Sequence, residues 1–208
     1  FKILKKKLNI LKCNIWFSVP SLLNLILKIN SPSVFRNLKI KKYIFGGEPF
    51  PIISVRKIFK YINKYKAKIY NVSGPTECTC ICSSHLVKKN ELFKSKNISI
   101  GKINKYFRYK IQHYKQKNLS SGELFLEGPA VSSGYINDEK MTQEKFYSIK
   151  KNFRGYKTGD LVKCKGKKLF ILGRTDNQIK ILGHRIELEE IENRVNQTFG
   201  LSQSLVIS

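Results

Sequence analysis

Apolar and polar positions change period several times along this chain, and each change predicts a different kind of structure. Ile15 to Val19 is a short apolar run that reads as a strand, with a helix opening at Ser21. Ile40 to Phe45 is a second β-rich run, ending at Gly46-Gly47. Between Pro51 and Tyr65 the spacing turns helical, with Ile52, Val55, Ile58, Phe59 and Ile62 on one side. Lys68 to Val72 is the next strand, closed by a glycine-proline turn. Strand-helix-strand order predicts a parallel α/β sheet over residues 1–97, with ligands at the carboxyl ends of the strands.

Residues 98–174 follow another pattern. Tyr106 to His113, Gly122 to Glu127 and Lys168 to Leu172 read as short strands, and Met141 to Phe146 as a short helical piece. This predicts a small, mostly β unit. A third unit is expected over 175–208. Gln178 to Leu182 alternates Ile179 and Ile181 against Gln178 and Lys180, as a strand does. Leu188, Ile191, Val195 and Phe199 then share one helical face. Glu187, Glu189 and Glu190 are expected in that helix's first turn, where its dipole favours them. Gly200 fits the position just past its end.

Composition changes this picture in three places. The formal charge is +26, from 40 Lys+Arg against 14 Asp+Glu. One reading is a nucleic acid or an anionic membrane as partner. The other, favoured here, is lysine on solvated faces, because the lysines run from Lys2 to Lys180 without a single stripe and no RNA-binding signature accompanies them. No specific nucleic-acid partner and no membrane insertion are therefore expected. The start, Phe1 to Leu27, mimics a signal peptide, but Pro20 and the polar Ser18, Ser21 and Asn24 interrupt it. No run reaches the ~18 apolar residues of a membrane span. The five cysteines are odd in number and form no disulfide framework, so a reducing, cytoplasmic setting is expected. Cys78, Cys80 and Cys82 are expected on one face of a strand, as small apolar thiols rather than metal ligands.

The chemistry concentrates in a few constellations. In Asn71-Val72-Ser73-Gly74-Pro75-Thr76-Glu77 the glycine and proline shape a turn after a strand, which can offer backbone N–H groups to a phosphate. Thr76 adds a hydroxyl. Glu77 adds a hard carboxylate oxygen suited to Mg²⁺ on a triphosphate. Gly46-Gly47-Glu48 lets a ligand approach the backbone closely. Asp160 follows Gly159 and can accept hydrogen bonds from ribose hydroxyls. Arg174 offers a fixed fork of donors for ribose or phosphate oxygens.

Five blocks stand in a fixed order: Gly46-Gly47-Glu48; Asn71 to Glu77; Gly122-Glu123-Leu124 with Gly134-Tyr135; Tyr156-Lys157-Thr158-Gly159-Asp160; and Gly173 to Glu192. In this order they resemble the adenylate-forming enzymes, in their amino-acid-activating branch, and look most like the D-alanine–carrier protein ligases. The resemblance implies the adenylate-forming fold in part: the end of a parallel α/β subdomain, a small β subdomain, and from Thr175 the start of a mobile α+β domain. It implies ATP and Mg²⁺ as cofactors, a small amino acid as substrate, and transfer of the aminoacyl group from aminoacyl-AMP to the phosphopantetheine thiol of a carrier protein. Thr76 and Glu77 are the implied catalytic pair. By the same resemblance Asn71 faces adenine, Thr76 the α-phosphate, Glu77 the magnesium and Asp160 the ribose. Asp176 is the implied hinge, and Lys180 and Gly183 follow on the moving strand. Ile44, Gly46, Val72, Cys80 and Ile81 are implied to line the amino-acid pocket. The chain departs from the family at Ser73, where an aromatic residue usually stands. The resemblance places a phosphate loop before Phe1 and a catalytic lysine after Ser208, so this stretch is expected to be an interior fragment that is inactive alone. Two other readings are kept: an acyl- or aryl-CoA ligase, and a basic nucleic-acid-binding protein.

Overall fold

The computed structural model describes residues 2–29, 35, 38–62, 66–93, 98–113 and 121–207. Its first layer is a five-stranded sheet in the order β1-β2-β3-β4-β5, with β1 at Ile15–Ser18, β2 at Lys42–Gly46, β3 at Lys68–Ser73, β4 at Ser83–Val87 and β5 at Lys102–Ile103. The first three strands are parallel, as strand-helix-strand order requires; β4 is antiparallel to β3, and β5 is antiparallel to β4. Helices α1 (Lys2–Ile10), α2 (Pro20–Lys28) and α3 (Ile52–Ile62) accompany them. The end of the span expected to be helical, residues 63–65, lies outside the described residues. Helix α1 was not expected; its lysines hid a helix whose Leu4 and Leu8 pack on the core. Alternation decides which face of the sheet is covered. Tyr43, Phe45 and Ile69 point into a core with Leu23 and Ile26 of α2 and Val55, Ile58 and Ile62 of α3. Phe17, Ile44 and Tyr70, neighbours across β1, β2 and β3, point the other way.

The second layer is antiparallel, in the order β10-β9-β7-β6 with β8 paired to β9. These are β6 (Arg108–Gln112), β7 (Ser121–Gly128), β8 (Phe146–Lys150), β9 (Phe153–Lys165) and β10 (Lys168–Arg174), with the short α4 (Glu139–Lys145) before β8. Asp138 caps α4, its carboxylate accepting from the Met141 amide. Leu124, Leu126, Tyr156, Val162 and Leu169 form the core of this layer. The layers join where the Ile100 amide donates to the Leu169 carbonyl and the Leu169 amide to the Gly101 carbonyl, both at 2.9 Å.

A hairpin of β11 (Gln178–Ile181) and β12 (His184–Glu187) then leads into α5 (Leu188–Phe199). Gly200 ends α5 in the left-handed region at φ 64°, as expected for a cap. Glu187 is the residue before the helix rather than in its first turn, which Glu189 and Glu190 occupy. No residue of α5 is buried, and Ile191 and Phe199 are exposed.

Candidate nucleotide site

The carboxyl ends of β2 and β3 lie side by side, Gly46 pairing with Val72. Beyond β3 the chain turns at Gly74-Pro75 into a single 3₁₀ turn, Thr76–Cys78. Only glycine fits at 74, because a Cβ there would collide with the Cys80 carbonyl oxygen and lie 2.6 Å from the Cys82 amide nitrogen. The cysteine expectation is corrected here. Cys78, Cys80 and Cys82 do not share a strand face, since Thr79 and Cys80 take positive φ and fold the segment back on itself. Cys78 and Cys82 enter the second core, and Cys80 is exposed. No group of three metal-binding side chains occurs among the described residues.

The turn leaves Thr76 exposed and drives Glu77 inward, to 7% exposure. Tyr135 donates its hydroxyl to Glu77 Oε1 at 2.7 Å, and Arg185 donates Nη1 to the same oxygen at 2.7 Å. Oε2 is buried without a hydrogen-bond partner in the protein. Burial pushes this carboxyl up, but hydrogen bonds from Tyr135, its own backbone, Tyr156 and Arg185 prevail and hold it below the usual glutamate value. Burial, together with the Glu77 charge, pushes the Tyr135 phenol up to about 12. Tyr156 completes the cluster, its hydroxyl 3.3 Å from that of Tyr135.

Strand β9 also carries Asp160. Between Glu123 and Phe125 of β7, the partner positions on β9 run from Leu161 to Lys157, so β9 bulges outward. Gly159, at φ +73°, makes this bulge possible. Thr158 and Glu123 pin it: the Thr158 hydroxyl donates to the Leu124 carbonyl at 2.7 Å, and the Gly159 amide donates to Glu123 Oε1 at 3.0 Å. A second irregularity, between Ile171 and Gly173 of β10, sets Arg174 opposite Asp160. Arg174 donates Nη1 to Asp160 Oδ1 at 2.8 Å, and Nε and Nη2 to the two oxygens of Asp176, each at 2.7 Å. Burial pushes Asp160 up against the pull of Arg174 and Lys180. For Asp176, burial is outweighed by Arg174, and its carboxyl lies below the ordinary aspartate value.

The structure thus brings Asp160, Arg174 and Asp176 into one cluster and sets Gly46, Val72 and the Asn71–Glu77 loop together at one end of the parallel strands. Asn71 is buried and donates Nδ2 to the Ser99 carbonyl at 3.0 Å. Glu48 turns instead to α2, accepting from the Ser21 amide at 2.9 Å and its hydroxyl at 3.1 Å, where the helix's N-terminal end favours a carboxylate. Ile44 is half-buried, Val72 buried, and Cys80 and Ile81 exposed. Sequence reasoning gave no role to Tyr135, Tyr156 or Arg185. All three lie within the five blocks, but their meeting with Glu77 across 58 residues or more is a product of topology.

Asp160 is thus clamped by Arg174 on a bulged strand, and Glu77 is buried just beyond the carboxyl end of β3. Residues 1–136 match the sequence profile of the family described as AMP-binding enzyme, and the chain belongs to that family. It is 32% identical over 209 residues to the D-alanine--D-alanyl carrier protein ligase of Bacillus licheniformis, an alignment covering 99% of this chain and 41% of that protein. It superposes on IdnL1 with a TM-score of 0.85 at 25% identity, over 98% of this chain and 43% of that one. It also superposes on the Vibrio cholerae adenylation domain AlmE, solved in complex with glycyl-adenosine-5'-phosphate, with a TM-score of 0.78 at 26% identity, over 93% of this chain and 37% of that one. The fold is therefore that of the adenylate-forming enzymes, in part, and the chain spans about two-fifths of the length of the curated relatives it matches.

Proposed function

We propose that this chain forms the nucleotide wall and the hinge of an enzyme that activates a small amino acid with ATP and passes the aminoacyl group to a carrier-protein phosphopantetheine thiol. The observation that carries this reading is Glu77: a carboxylate held ionised, buried, and with one oxygen unpartnered. That orphaned oxygen fits a hard divalent cation, so the residues suit magnesium. Bound there, Mg²⁺ would neutralise charge on the triphosphate. Asp160 accepts from the ribose hydroxyls, and Arg174 sets its orientation. Asn71, with Nδ2 held by Ser99, presents Oδ1 as an acceptor for the adenine amine. The Gly74–Thr76 backbone and the Thr76 hydroxyl face the α-phosphate. Ile44, Gly46, Val72, Cys80 and Ile81 form an apolar wall suited to a small uncharged side chain. The names of the relatives, a D-alanine ligase and a domain bound to a glycyl adenylate, favour this over an acyl-CoA ligase.

Asp176 is the proposed hinge between residues 1–174 and the small domain beginning at 175. Arg185 reaches Glu77 from the far side of that hinge. Arg185 occupies Oε1 and leaves Oε2 for a cation, so the hairpin and the cation would share one carboxylate. The test is amino-acid-dependent ATP–pyrophosphate exchange by the full-length enzyme carrying Glu77→Gln. A loss of roughly a hundredfold, about 3 kcal/mol of charge stabilisation, is expected. Unchanged exchange at limiting Mg²⁺ would remove Glu77 from this role.

A further inference from the structure

Before Glu77 the chain has a single acidic residue, Glu48, and Glu48 sits at the carboxyl end of the parallel strands, on Ser21. The opposite end of the sheet is where β1, β2 and β3 begin and β4 finishes. Lys12, Lys41, Lys42, Lys66, Lys68 and Lys88 gather there, all exposed. Lys42 and Lys68 are direct cross-strand partners. Val87 pairs with Ile69, which sets Lys88 next to Lys68. With strands about 4.8 Å apart, the row Lys42-Lys68-Lys88 spans about 10 Å. Like charges directly opposite one another are destabilising. None of these lysines makes an ion pair among the described residues. Lys7, Lys28 and Lys60 are accounted for by the last turns of their helices, where the dipole favours cations. The strand-end lysines have no such compensation, so the fold holds a repulsive cationic row in place.

Apolar side chains border the row. Helix α1 ends at Ile10 and turns through Leu11-Lys12 into β1, and α2 returns to the same end and stops at Ile29. Ile10 is 66% exposed, Leu11 70% and Ile29 56%. A polyphosphate chain would answer the lysines alone. A lipid surface answers both features, with anionic headgroups on the ammonium groups and the three aliphatic side chains at the headgroup–acyl boundary. We propose that this end of the sheet docks on anionic phospholipid bilayers. Docking would be peripheral, since no helix among the described residues is long and apolar enough to cross a membrane. It would leave the strand ends carrying Gly46–Glu48 and Asn71–Glu77 facing away from the bilayer.

The test is co-sedimentation of the protein with vesicles of equal parts phosphatidylserine and phosphatidylcholine, against vesicles of phosphatidylcholine alone. Binding to the anionic vesicles only, lost at high salt, is expected. Each lysine near such a surface is worth roughly fivefold in affinity, so Lys41→Gln/Lys42→Gln/Lys68→Gln should weaken binding by more than tenfold. Leu11→Ser should weaken it without changing the salt dependence. The control removes the same charge elsewhere, as Lys163→Gln/Lys165→Gln/Lys167→Gln on the β9–β10 hairpin, and should bind like the parent. Equal losses in both triple variants would reduce the effect to net charge and overturn the proposal. So would equal binding to both kinds of vesicle, no binding to either, or single-stranded RNA displacing the protein from the vesicles with an affinity insensitive to Leu11→Ser.

Discussion

Two glycines at the site are irreplaceable for different reasons, and the difference is measurable. At Gly74 the obstacles are backbone atoms of Cys80 and Cys82, which cannot move without unravelling the turn that buries Glu77. At Gly159 they are the ends of the Arg174 and Asp176 side chains, each 2.6 Å from an added Cβ, on a backbone at φ +73°. Gly74→Ala should therefore lower thermal stability substantially. Gly159→Ala should cost only the left-handed penalty, about 1–2 kcal/mol. The same change should part Arg174 from Asp160 and weaken ATP binding at least tenfold by titration calorimetry, about 1.4 kcal/mol or more. If Gly159→Ala leaves ATP affinity unchanged, the cluster does not hold the ribose.

Among the elements, the β11–β12 hairpin is held to the large domain by a side-chain ion pair. Arg185, itself half-exposed, pairs with the buried Glu77. Arg185→Ala should cost about 1 kcal/mol after solvent screening, and amide exchange in residues 178–187 should quicken about fivefold. Exchange unchanged by the substitution would mean the hairpin is held by other contacts. Element identity was largely legible beforehand. The period of α3 survives because Val55, Ile58 and Ile62 fill the first core, whereas β11 and α5 form where their periods predict although α5 buries no residue and β11 buries Gln178 rather than Ile181. Helix α1 was missed because its three consecutive lysines masked Leu4 and Leu8. The Cys78 to Cys82 segment was misread because alternation over five residues is indistinguishable from a turn that buries its first and last residues. The bulge at Gly159 carried a signal, a glycine inside a β-rich run. The two register shifts that set Arg174 opposite Asp160 carried none.

At the scale of the molecule, Glu91 joins the two layers. It accepts from Lys168 of β10 at 2.6 Å and meets His85 of β4 at 2.7 Å. Burial raises its carboxyl, but the Lys168 and His85 hydrogen bonds prevail and lower it from 4.5 to about 2. A lowered folded value stabilises the protein above the unfolded one and loses that contribution as pH falls through the folded one. The melting-temperature gap between the parent and Glu91→Gln should thus be full above about pH 4.5 and close by about pH 2. A gap that does not change with pH would show that Glu91 acts only through packing. The account as a whole rests on amino-acid activation at the strand ends that carry Glu77. It is tested most directly by ATP–pyrophosphate exchange of the full-length enzyme that contains this stretch, measured across a panel of amino acids, with and without Mg²⁺. The expected result is Mg²⁺-dependent exchange supported by small uncharged amino acids such as alanine and glycine, and lowered roughly a hundredfold by Glu77→Gln. Exchange driven by lysine or glutamate, or by fatty or aromatic acids in place of amino acids, would contradict it.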